Sequence, residues 1–213
     1  MFNRFLRWLF FGLVVRRLIL IIIGLNIRHS ERLPQQGPAI LVANHNSHLD
    51  TLVLMSLCPL KQLPQIHPVA AADYFLRNPL LAWFALNIIG ILPLARKVQA
   101  HSDPFEAAYT ALAQGHILIL FPEGTRGQPE QMNHFKNGIA RLAKNCAEVP
   151  LIPIFLHGLG KSLPKGDTLL VPFFCDVFVG ETLRWEGDKK HYMQQLDVTM
   201  SQLASEGRFA TWK

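Results

Sequence analysis

Apolar runs and polar turns alternate along most of the chain, and the lengths of the runs predict strands that alternate with helices. Short apolar runs predict buried strands at 39–43, 67–72, 91–95, 116–121, 149–158 and 168–180. Helical spacing or helix-ending signals predict helices at 49–57, 74–90, 103–115, 135–145 and 188–207, the second of them broken. Prolines in the last two strands place those strands at sheet edges. The pattern predicts an α/β domain with a mixed, mostly parallel sheet flanked by helices.

The N-terminal segment is strongly apolar, although it carries four arginines. It is long enough to cross a bilayer as a helix, but Arg16 and Arg17 fall in its middle. Each would cost about 2.5–3.5 kcal/mol at the centre of a bilayer. No small-residue cleavage site follows the segment, as one would in a signal peptide. The two arginines therefore argue against a spanning helix, and the missing cleavage site argues against a removable leader.

The arginines favour a helix that lies in the membrane interface. On a helical wheel Arg4 and Arg7 point to one side, and the later pair of arginines points nearly the opposite way. Long arginine side chains can bury their stems and still reach lipid phosphates. We therefore predict an N-terminal membrane-associated helix over residues 1–27 and a second domain over residues 28–213. The alternative is a helix that packs on the core of the domain itself.

Composition suits a protein that meets a membrane or an acidic partner. Hydrophobic residues make up 50% of the 213 residues and charged residues 17%, and basic residues outnumber acidic ones by 21 to 15. A basic, apolar protein suits an anionic membrane surface, a nucleic acid or an acidic protein. No basic run is interleaved with aromatic residues, so we expect no nucleic-acid partner. The three cysteines are widely spaced, which argues against a disulfide framework or a zinc site and fits a reducing cytosol.

The stretch NHNSHLD, residues 44–50, concentrates polar chemistry between two apolar runs. It follows a predicted strand and precedes a predicted helix, a place where ligands of α/β folds gather. His45 and Asp50 are five residues apart, so on one continuous helix they would not face each other. They can meet if His45 lies in the turn and Asp50 lies in the first helical turn. The carboxylate would then orient the imidazole, which could remove a proton from a substrate hydroxyl.

Two other interpretations of this stretch stay open. Ser47 and Asp50 have the spacing of a capping box, so the stretch could be an ordinary helix start. His45, His48 and Asp50 could instead form a cluster of metal ligands. The histidine spacing differs from that of metallohydrolases, so we expect no metal, and His48 is predicted to lie on the helix surface.

A second polar stretch, FPEGTRGQPEQMNHFKNG, leaves the end of another apolar strand. Gly124 allows backbone amides to approach an anion, Thr125 offers a hydroxyl, and Arg126 offers a planar fork that matches phosphate. Lys136 is predicted to open the next helix and to add a charge near its N-terminus, itself an anion site. Glu123 is counted with these substrate-binding residues, where we expect it to organise the loop or the arginines and not to contact the phosphate itself. The stretch therefore predicts a phosphate-binding site.

Together the two stretches resemble the motifs of glycerolipid acyltransferases, the family typified by 1-acylglycerol-3-phosphate acyltransferase. The motif Asn-His-x-Ser-x-x-Asp is matched by Asn44, His45, Ser47 and Asp50, and the motif Phe-Pro-Glu-Gly-Thr-Arg by Phe121 to Arg126. The accompanying Phe-Lys-x-Gly is matched by Phe135, Lys136 and Gly138, and a Val-Pro-x-x-Pro-type strand by Val149, Pro150 and Pro153. The resemblance runs in order from about residue 30 to residue 160.

The chain departs from the family at the second motif, which usually ends in an acidic residue followed by arginine. The segment GILPLAR keeps Gly90 and Arg96 but has Ala95 in place of the acid. Gly127 also stands where many members have serine. The departure at Ala95 leaves the acyl acceptor open, because Arg96 is one of the substrate-binding residues that the resemblance implies.

The resemblance implies a glycerol-3-phosphate acyltransferase-like fold and an acyltransferase domain over residues 28–213. His45, oriented by Asp50, would deprotonate the hydroxyl of 1-acyl-glycerol-3-phosphate, which would attack the thioester of acyl-CoA or acyl carrier protein. The acceptor phosphate would be held by Arg96, Gly124, Thr125, Arg126 and Lys136. The product would be phosphatidic acid for phospholipid synthesis, made at the cytoplasmic face of the inner (cell) membrane. This mechanism requires no cofactor, metal or covalent acyl-enzyme.

Three other functions remain as alternatives. The acceptor could be another lysolipid, such as a lyso-ornithine lipid, whose carboxylate Arg126 could bind. The protein could hydrolyse a lipid ester or thioester, although a hydrolase needs no phosphate-binding residues such as Thr125 and Arg126. It could also be a membrane-bound binding protein without turnover, although His45 and Asp50 argue against that function.

Overall fold

The computed structural model describes residues 2–75, 77–94, 103–128, 131–162 and 174–209. Its strands are β1 (Leu25–Arg28), β2 (Ala39–Ala43), β3 (Ile66–Ala71), β4 (Leu92–Leu94), β5 (Ile117–Leu120), β6 (Leu151–His157) and β7 (Cys175–Val179). Within the described ranges they form one sheet in the order β1-β7-β6-β2-β5-β3-β4. Neighbouring strands are parallel except for β6 and β7. The mixed, mostly parallel sheet confirms the predicted fold class.

Helices cover both faces of this sheet. They are α1 (Phe2–Leu9), α2 (Arg16–Leu18), α3 (Asp50–Leu57), α4 (Ala72–Phe75), α5 (Pro79–Phe84), α6 (Glu106–Ala113), α7 (Gly138–Asn145), α8 (Leu159–Ser162) and α9 (Lys189–Glu206). π-Helical turns lie at Phe10–Val15, Ile19–Ile23 and Ala85–Ile89, and 3₁₀ turns at Ser30–Arg32 and Leu60–Gln65. The broken helix predicted at 74–90 is confirmed, because α4 and α5 are separate and a π-helical turn follows them.

Strand β2 lies inside the sheet and contributes to two hydrophobic cores. Its side chains alternate between the two faces. Leu41 and its alternate neighbours pack with α3 and the N-terminal residues, whereas Ile40 and Val42 pack with α6, α7 and α9. Every residue of β2 is buried. Burial on both faces accounts for the uninterrupted apolar run from which the strand is predicted.

The N-terminal helix, which is the continuous run of α1, α2 and their π-helical turns over residues 2–23, packs on the first of these cores. Its buried apolar residues recur at every fourth position, at Phe11, Val15, Ile19 and Ile23. A π-helical turn closes i→i+5 hydrogen bonds and so holds more residues than the roughly 3.6 of an α-helical turn. The π-helical turns therefore help to keep positions four apart on one side of the helix.

Arg7 points into the protein and not outward along the helix surface, which corrects the predicted outward direction of this one arginine. It is buried, and its guanidinium donates to the carbonyl of Ile66 at 2.7 Å and to that of Ile89 at 2.9 Å. The helix docks on the domain, as the alternative interpretation held, but its outer side exposes apolar residues. These are Phe2, Phe5, Trp8, Leu9, Leu13, Val14 and Ile21.

The N-terminal helix ends earlier than the sequence predicts. Its last π-helical turn closes at Ile23, and Leu25–Arg28 pairs with β7 as the edge strand β1. The predicted boundary after residue 27 therefore falls inside a strand of the sheet. No helix in the part of the chain that the structure describes is both long enough and apolar enough to cross a membrane.

Strand β6 lies inside the sheet, so the edge position predicted from its prolines is wrong. It pairs with β2 on one side and with β7 on the other. The Pro153 carbonyl accepts a hydrogen bond from the Gly180 N–H at 2.8 Å, just beyond the last pair of the β6–β7 ladder, Ile154 with Val179. The missing N–H of Pro153 is tolerated because this residue, which is in register with Val42 of β2, lies beyond the end of the β6–β7 ladder. The start of the other proline-containing run, at 168–173, lies outside the described residues. Its described part, β7, pairs with β1 and β6, so the predicted edge position is wrong for this strand also.

Candidate active site

Two loops that follow adjacent parallel strands form the candidate active site. Strand β2 ends at Ala43 and strand β5 at Leu120, and the register of the two strands places Val42 beside Leu120. The loops that follow therefore start side by side at the carboxyl edge of the sheet, where α/β folds bind ligands. The first loop carries the NHNSHLD stretch and the second carries FPEGTR, so the fold brings together the two stretches singled out in the sequence.

His45 and Asp50 meet in the first loop. Nδ1 of His45 lies 2.9 Å from Oδ2 of Asp50, which is buried at the start of α3. The same oxygen accepts the backbone N–H of Asn46 at 2.7 Å and that of Ser47 at 2.9 Å. Because a carboxylate can only accept, Nδ1 of His45 is the donor and Nε2 is the basic nitrogen of the ring. The pair therefore has the arrangement of a general base and its orienting carboxylate.

Asp50 also shapes the start of α3, so the capping-box interpretation and the catalytic one are compatible. The Asp50 carboxylate accepts the N–H of Ser47, and the Ser47 hydroxyl oxygen accepts the N–H of Leu49 at 3.2 Å. These bonds satisfy backbone donors ahead of the helix, as a capping box does. One carboxylate thus stabilises the helix start and orients the imidazole.

Two further contacts hold the His45 loop in place. The side-chain amide of Asn44 donates to the Leu156 carbonyl at 2.8 Å and accepts from the Leu156 N–H at 2.7 Å. These side-chain bonds attach the first residue after β2 to the backbone of β6. The His45 ring stacks on the Phe121 ring, with 4.0 Å between centroids and 18° between planes. The imidazole is therefore supported by the first residue of the second loop.

Glu123 joins the second loop to the first. Its Oε1 accepts the backbone N–H of His45 at 2.8 Å, and its Oε2 accepts the N–H of Asn133 at 3.2 Å and the Asn133 amide at 2.9 Å. The Gly127 N–H donates to the His45 carbonyl at 2.9 Å. Burial raises the pKa of Glu123, although its hydrogen-bond donors oppose the shift. Both backbone groups of His45 are thus bonded to the loop after β5.

Gly124 and Lys136 form one part of the predicted phosphate site. Gly124 has a φ of 73°, and a Cβ at this position would collide with the ammonium end of Lys136. The Lys136 side chain therefore lies across the Gly124 backbone, where both can face an anion. Lys136 does not open a helix, because its N–H donates to the Pro122 carbonyl at 2.9 Å and α7 begins only at Gly138.

Arg126 forms the other part of this site and contacts the first loop. Its Nη1 contacts Nε2 of His48, and Thr125 is exposed beside it. Since arginine can only donate, His48 accepts this bond with a neutral ring. The pKa of His48 is lowered mainly by burial and further by the charges of Arg126 and His45. His48 lies in the turn before α3 and belongs to the site, against the prediction of a helix-surface position.

Arg96 and its neighbour Ala95 lie outside the described residues. Among the residues that the structure does describe, no group of three or more His, Cys, Asp or Glu side chains is arranged to hold a metal ion. The metal cluster of His45, His48 and Asp50 that the sequence left open is not formed, because His48 is turned towards Arg126.

Sequence reasoning missed two roles in the site. His48 is within the first motif, and its role could be suspected only from a three-dimensional neighbour, Arg126. Asn133 lies ten residues after Glu123, within residues 131–136, to which no helix or strand is assigned. No local pattern marks it as a partner of that carboxylate. Both residues act through contacts between the two loops, which sequence spacing does not reveal.

Known proteins share sequence with most of this chain. The chain matches the model of the family described as Acyltransferase over residues 24–157. It is 32% identical over 144 residues to the chloroplastic 1-acyl-sn-glycerol-3-phosphate acyltransferase LPAT1 of Arabidopsis thaliana, a match that covers 67% of this chain and 38% of the relative. It is 33% identical over 168 residues to 1-acyl-sn-glycerol-3-phosphate acyltransferase alpha of Mus musculus, with 78% of this chain and 56% of the relative covered.

A solved structure shares the fold. The crystal structure of the 1-acyl-sn-glycerophosphate (LPA) acyltransferase PlsC from Thermotoga maritima has a TM-score of 0.73 to this chain at 21% identity. The match covers 97% of this chain and 80% of the other. The chain spans less than two thirds of the length of the two relatives from Arabidopsis and mouse.

Proposed function

The chain belongs to the acyltransferase family, and on that premise we propose that it acylates 1-acyl-glycerol-3-phosphate to phosphatidic acid. The acyl donor is the thioester of acyl-CoA or of acyl carrier protein. The observation that carries the proposal is the His45–Asp50 pair, with Nδ1 and Oδ2 2.9 Å apart, on the loop that adjoins Gly124, Arg126 and Lys136. A base beside a cluster of phosphate-binding groups is what acylation of a phosphorylated alcohol requires.

The reaction begins with proton transfer from the acceptor hydroxyl to Nε2 of His45. The hydroxyl oxygen attacks the thioester carbonyl carbon, and the C–S bond breaks as the new C–O ester bond forms. The leaving thiolate takes the proton back from Nε2, so His45 ends neutral. Asp50 keeps the proton on Nδ1 throughout and stabilises the imidazolium that forms between the two transfers.

The acceptor phosphate is held by Arg126, Lys136 and the backbone near Gly124. A planar guanidinium and an ammonium group on the same rim supply charge-assisted hydrogen bonds. Holding the phosphate fixes the distance from the acceptor hydroxyl to His45, which converts a collision into a positioned reaction. Arg96 is proposed to join this set on the basis of the motif alone.

The acyl donor is negatively charged in either form. Coenzyme A carries phosphates and acyl carrier proteins are acidic, so the formal net charge of +6 suits both. The three free cysteines fit a reducing compartment such as the cytoplasmic side of the cell membrane.

We propose that the protein works on a membrane surface, because the proposed substrate and product are both membrane lipids. The N-terminal helix and α5 with its π-helical turn lie side by side, with Phe10 and Phe84 in edge-to-face contact at 5.3 Å. Both helices expose large apolar residues, up to 80% of the side chain at Leu80. This apolar surface comprises Phe2, Phe5, Trp8, Leu9, Leu13 and Val14 together with Leu80, Leu81, Trp83 and Leu86. Exposed apolar patches of this kind mark membrane or partner contacts.

The acceptor is tested by competition. Purified protein receives equal amounts of 1-acyl-glycerol-3-phosphate and a lyso-ornithine lipid, with acyl-CoA and acyl carrier protein offered in separate reactions. Mass spectrometry of the products is expected to show phosphatidic acid as the main product. A preference for the amino-acid lipid that is weakened by Ala95→Asp would show that the residue before Arg96 sets the acceptor. Release of free fatty acid without formation of a new lipid would contradict the proposed transferase activity and indicate a hydrolase.

A further inference from the structure

A groove with an unusual charge pattern lies between the N-terminal helix and the turns that flank β3 and β4. It has a volume of about 390 Å³ and is bounded by the N-terminal helix, the 3₁₀ turn Leu60–Gln65 and the π-helical turn Ala85–Ile89. Its polar and aromatic lining comprises Asn3, Arg4, Arg7, Trp8, Lys61 and Asn87. Three of these side chains are cationic, and none of the described residues that line the groove is acidic.

Arg7 forms the floor of this groove as a buried cation, without a counter-charge among the described residues. More than nine-tenths of the residue is buried, and it is bonded to two backbone carbonyls, while its Nε has no hydrogen-bond partner among the described residues. No carboxylate in the described part of the chain lies within ion-pair distance of it. Burial lowers the pKa of Arg7 to about 10. A buried charge of this kind is stabilised by an anion placed against it.

Two further cations stand at the mouth of the groove. Arg4 lies one helical turn before Arg7, and Lys61 approaches from the 3₁₀ turn on the opposite wall. Both are exposed. Asn3 and Asn87 bridge the two helices by a hydrogen bond of 2.7 Å. The groove is therefore held open between fixed elements, and its charge selects an anion.

The groove lies at the opposite end of the sheet from the candidate active site. Arg7 bonds to Ile66, the first residue of β3, and β3 runs parallel to β5 with Ile66 beside Ile117. His45 and Arg126, in contrast, follow the last residues of β2 and β5. The anion bound in the groove is therefore not the phosphate of the reacting acceptor.

The surroundings of the groove identify the kind of anion. Trp8 and Leu86 line it and belong also to the apolar surface, with about half of the Trp8 side chain exposed. A ligand that fills the groove from this side must join a negative headgroup to an apolar tail. We propose that the groove binds the phosphate headgroup of an anionic phospholipid, whose acyl chains lie along the apolar surface. The lipid is an accessory ligand that anchors the N-terminal helix and takes no part in acyl transfer.

The test measures binding of a soluble lipid, so its outcome is independent of acyl transfer. Dihexanoyl phosphatidylglycerol, below its critical micelle concentration, is titrated into the full-length protein by calorimetry and followed by thermal unfolding. We expect saturable binding of one lipid and a rise in Tm. The double variant Arg4→Gln, Lys61→Gln should bind at least tenfold more weakly, since each charge near a lipid phosphate contributes about fivefold. The matched control, Lys144→Gln with Lys190→Gln, removes two exposed charges from helices α7 and α9 and should bind as the wild type does.

Two comparison ligands and one further variant decide the source and place of binding. Inorganic phosphate and zwitterionic dihexanoyl phosphatidylcholine should each bind much more weakly than the anionic lipid. If inorganic phosphate bound as tightly as the anionic lipid, the groove would be an ion-binding site and not a lipid site. Arg126→Ala should leave this binding unchanged, and its loss in that variant would place the lipid at the active site instead. Wild-type affinity in the Arg4→Gln, Lys61→Gln variant would overturn the proposal.

Discussion

Glu123, a residue of the second loop, accepts the backbone N–H of His45 in the first loop at 2.8 Å. The proposed base is therefore held by two carboxylates, one on its ring and one on its backbone. Asp50 fixes the direction of the imidazole, and Glu123 fixes where the turn lies relative to the phosphate-binding residues. The two loops are held together as one unit, although His45 and Glu123 are 78 residues apart in the sequence.

Glu123→Gln is expected to lower kcat by about 10- to 100-fold with little change in the KM of the acceptor, since small misplacements of a catalytic group have effects of this size. The glutamine keeps one acceptor oxygen but turns an NH₂ group towards the donors of His45 or Asn133. Steady-state kinetics with varied acceptor separate the two constants. Asn133→Ala, which removes one of the donors to Glu123, should shift kcat less and in the same direction. A raised KM with unchanged kcat would instead make Glu123 a direct substrate ligand.

The stability of the wild type relative to Glu123→Gln is expected to depend on pH. The raised pKa means that folded Glu123 keeps its proton at pH values where an exposed glutamate, with a pKa of about 4.3, has released it. The stability linked to this proton is present below about pH 4.3 and is lost as the pH rises through the raised pKa. Urea unfolding should therefore show a larger wild-type advantage at pH 4.5 than at pH 7.5. An advantage that grows with pH would mean that the pKa is lowered.

His45→Ala is expected to reduce acyl transfer by about 10²- to 10⁴-fold and to leave the fold intact, because it removes the general base from a half-buried position. Asp50→Asn should lower both kcat and Tm, since one Asp50 oxygen accepts three hydrogen bonds in the loop. Thermal unfolding and turnover are measured on the same samples. If Asp50→Asn lowered Tm and spared turnover, Asp50 would be a capping residue only.

His48→Ala is expected to raise the acceptor KM severalfold, because Arg126 loses the neutral ring nitrogen that holds its guanidinium. His48→Gln should restore most of the affinity, since a glutamine oxygen can accept the same hydrogen bond. The kinetic comparison needs only these two variants and the wild type. Equal KM values in all three would show that Arg126 is positioned without His48.

Leu80→Ser and Trp83→Ser are expected to weaken binding to phospholipid vesicles, each by about tenfold, because each removes an apolar side chain from the apolar surface. Val198→Ser is the matched control, since Val198 is about half exposed on α9, on the other face of the sheet. Vesicle flotation measures the partition, and Tm should stay constant in all three. If the control variant lost vesicle binding to the same extent, the loss could not be assigned to the apolar surface, and α5 would have no specific role in membrane binding.

Point variants are needed because the N-terminal helix cannot be removed cleanly. Phe11, Val15, Ile19 and Ile23 belong to the same core as Leu41 of β2. A chain without this helix would expose that core, and its behaviour on vesicles would report unfolding. The same packing explains why the sequence alone did not decide between an interfacial helix and a core helix, because a helix that does both is apolar on nearly every side.

The sheet was predictable because its strands are short apolar runs between polar turns. Strand β1 was missed because Leu25 continues the apolar run of the preceding helix, and Asn26 and Arg28 face outward and give no strand pattern. The boundary between helix and strand is set by Gly24, whose φ is 60°. A single glycine within an apolar stretch is not enough to predict that the helix ends and a strand begins.

Contacts of the candidate site could be predicted from the sequence where both residues lie on one loop. Contacts between residues on different loops could not. His45 and Asp50 are close in sequence, so their pairing could be argued from spacing. The contacts of Glu123 with His45 and of His48 with Arg126 depend on the register of β2 beside β5. That register follows from the packing of the whole sheet.

Strand β2 is not expected to tolerate the insertion or deletion of a residue. Each of its five residues belongs to one of two cores, so a single inserted or deleted residue would send apolar side chains of the wrong size to both faces at once. The same change would slide His45 along the edge of the sheet, away from Glu123 and Phe121. Insertions that preserve the candidate site are therefore confined to other places, such as the turns at the amino edge of the sheet. Among homologous chains the number of residues from Ala39 to His45 is expected to be constant.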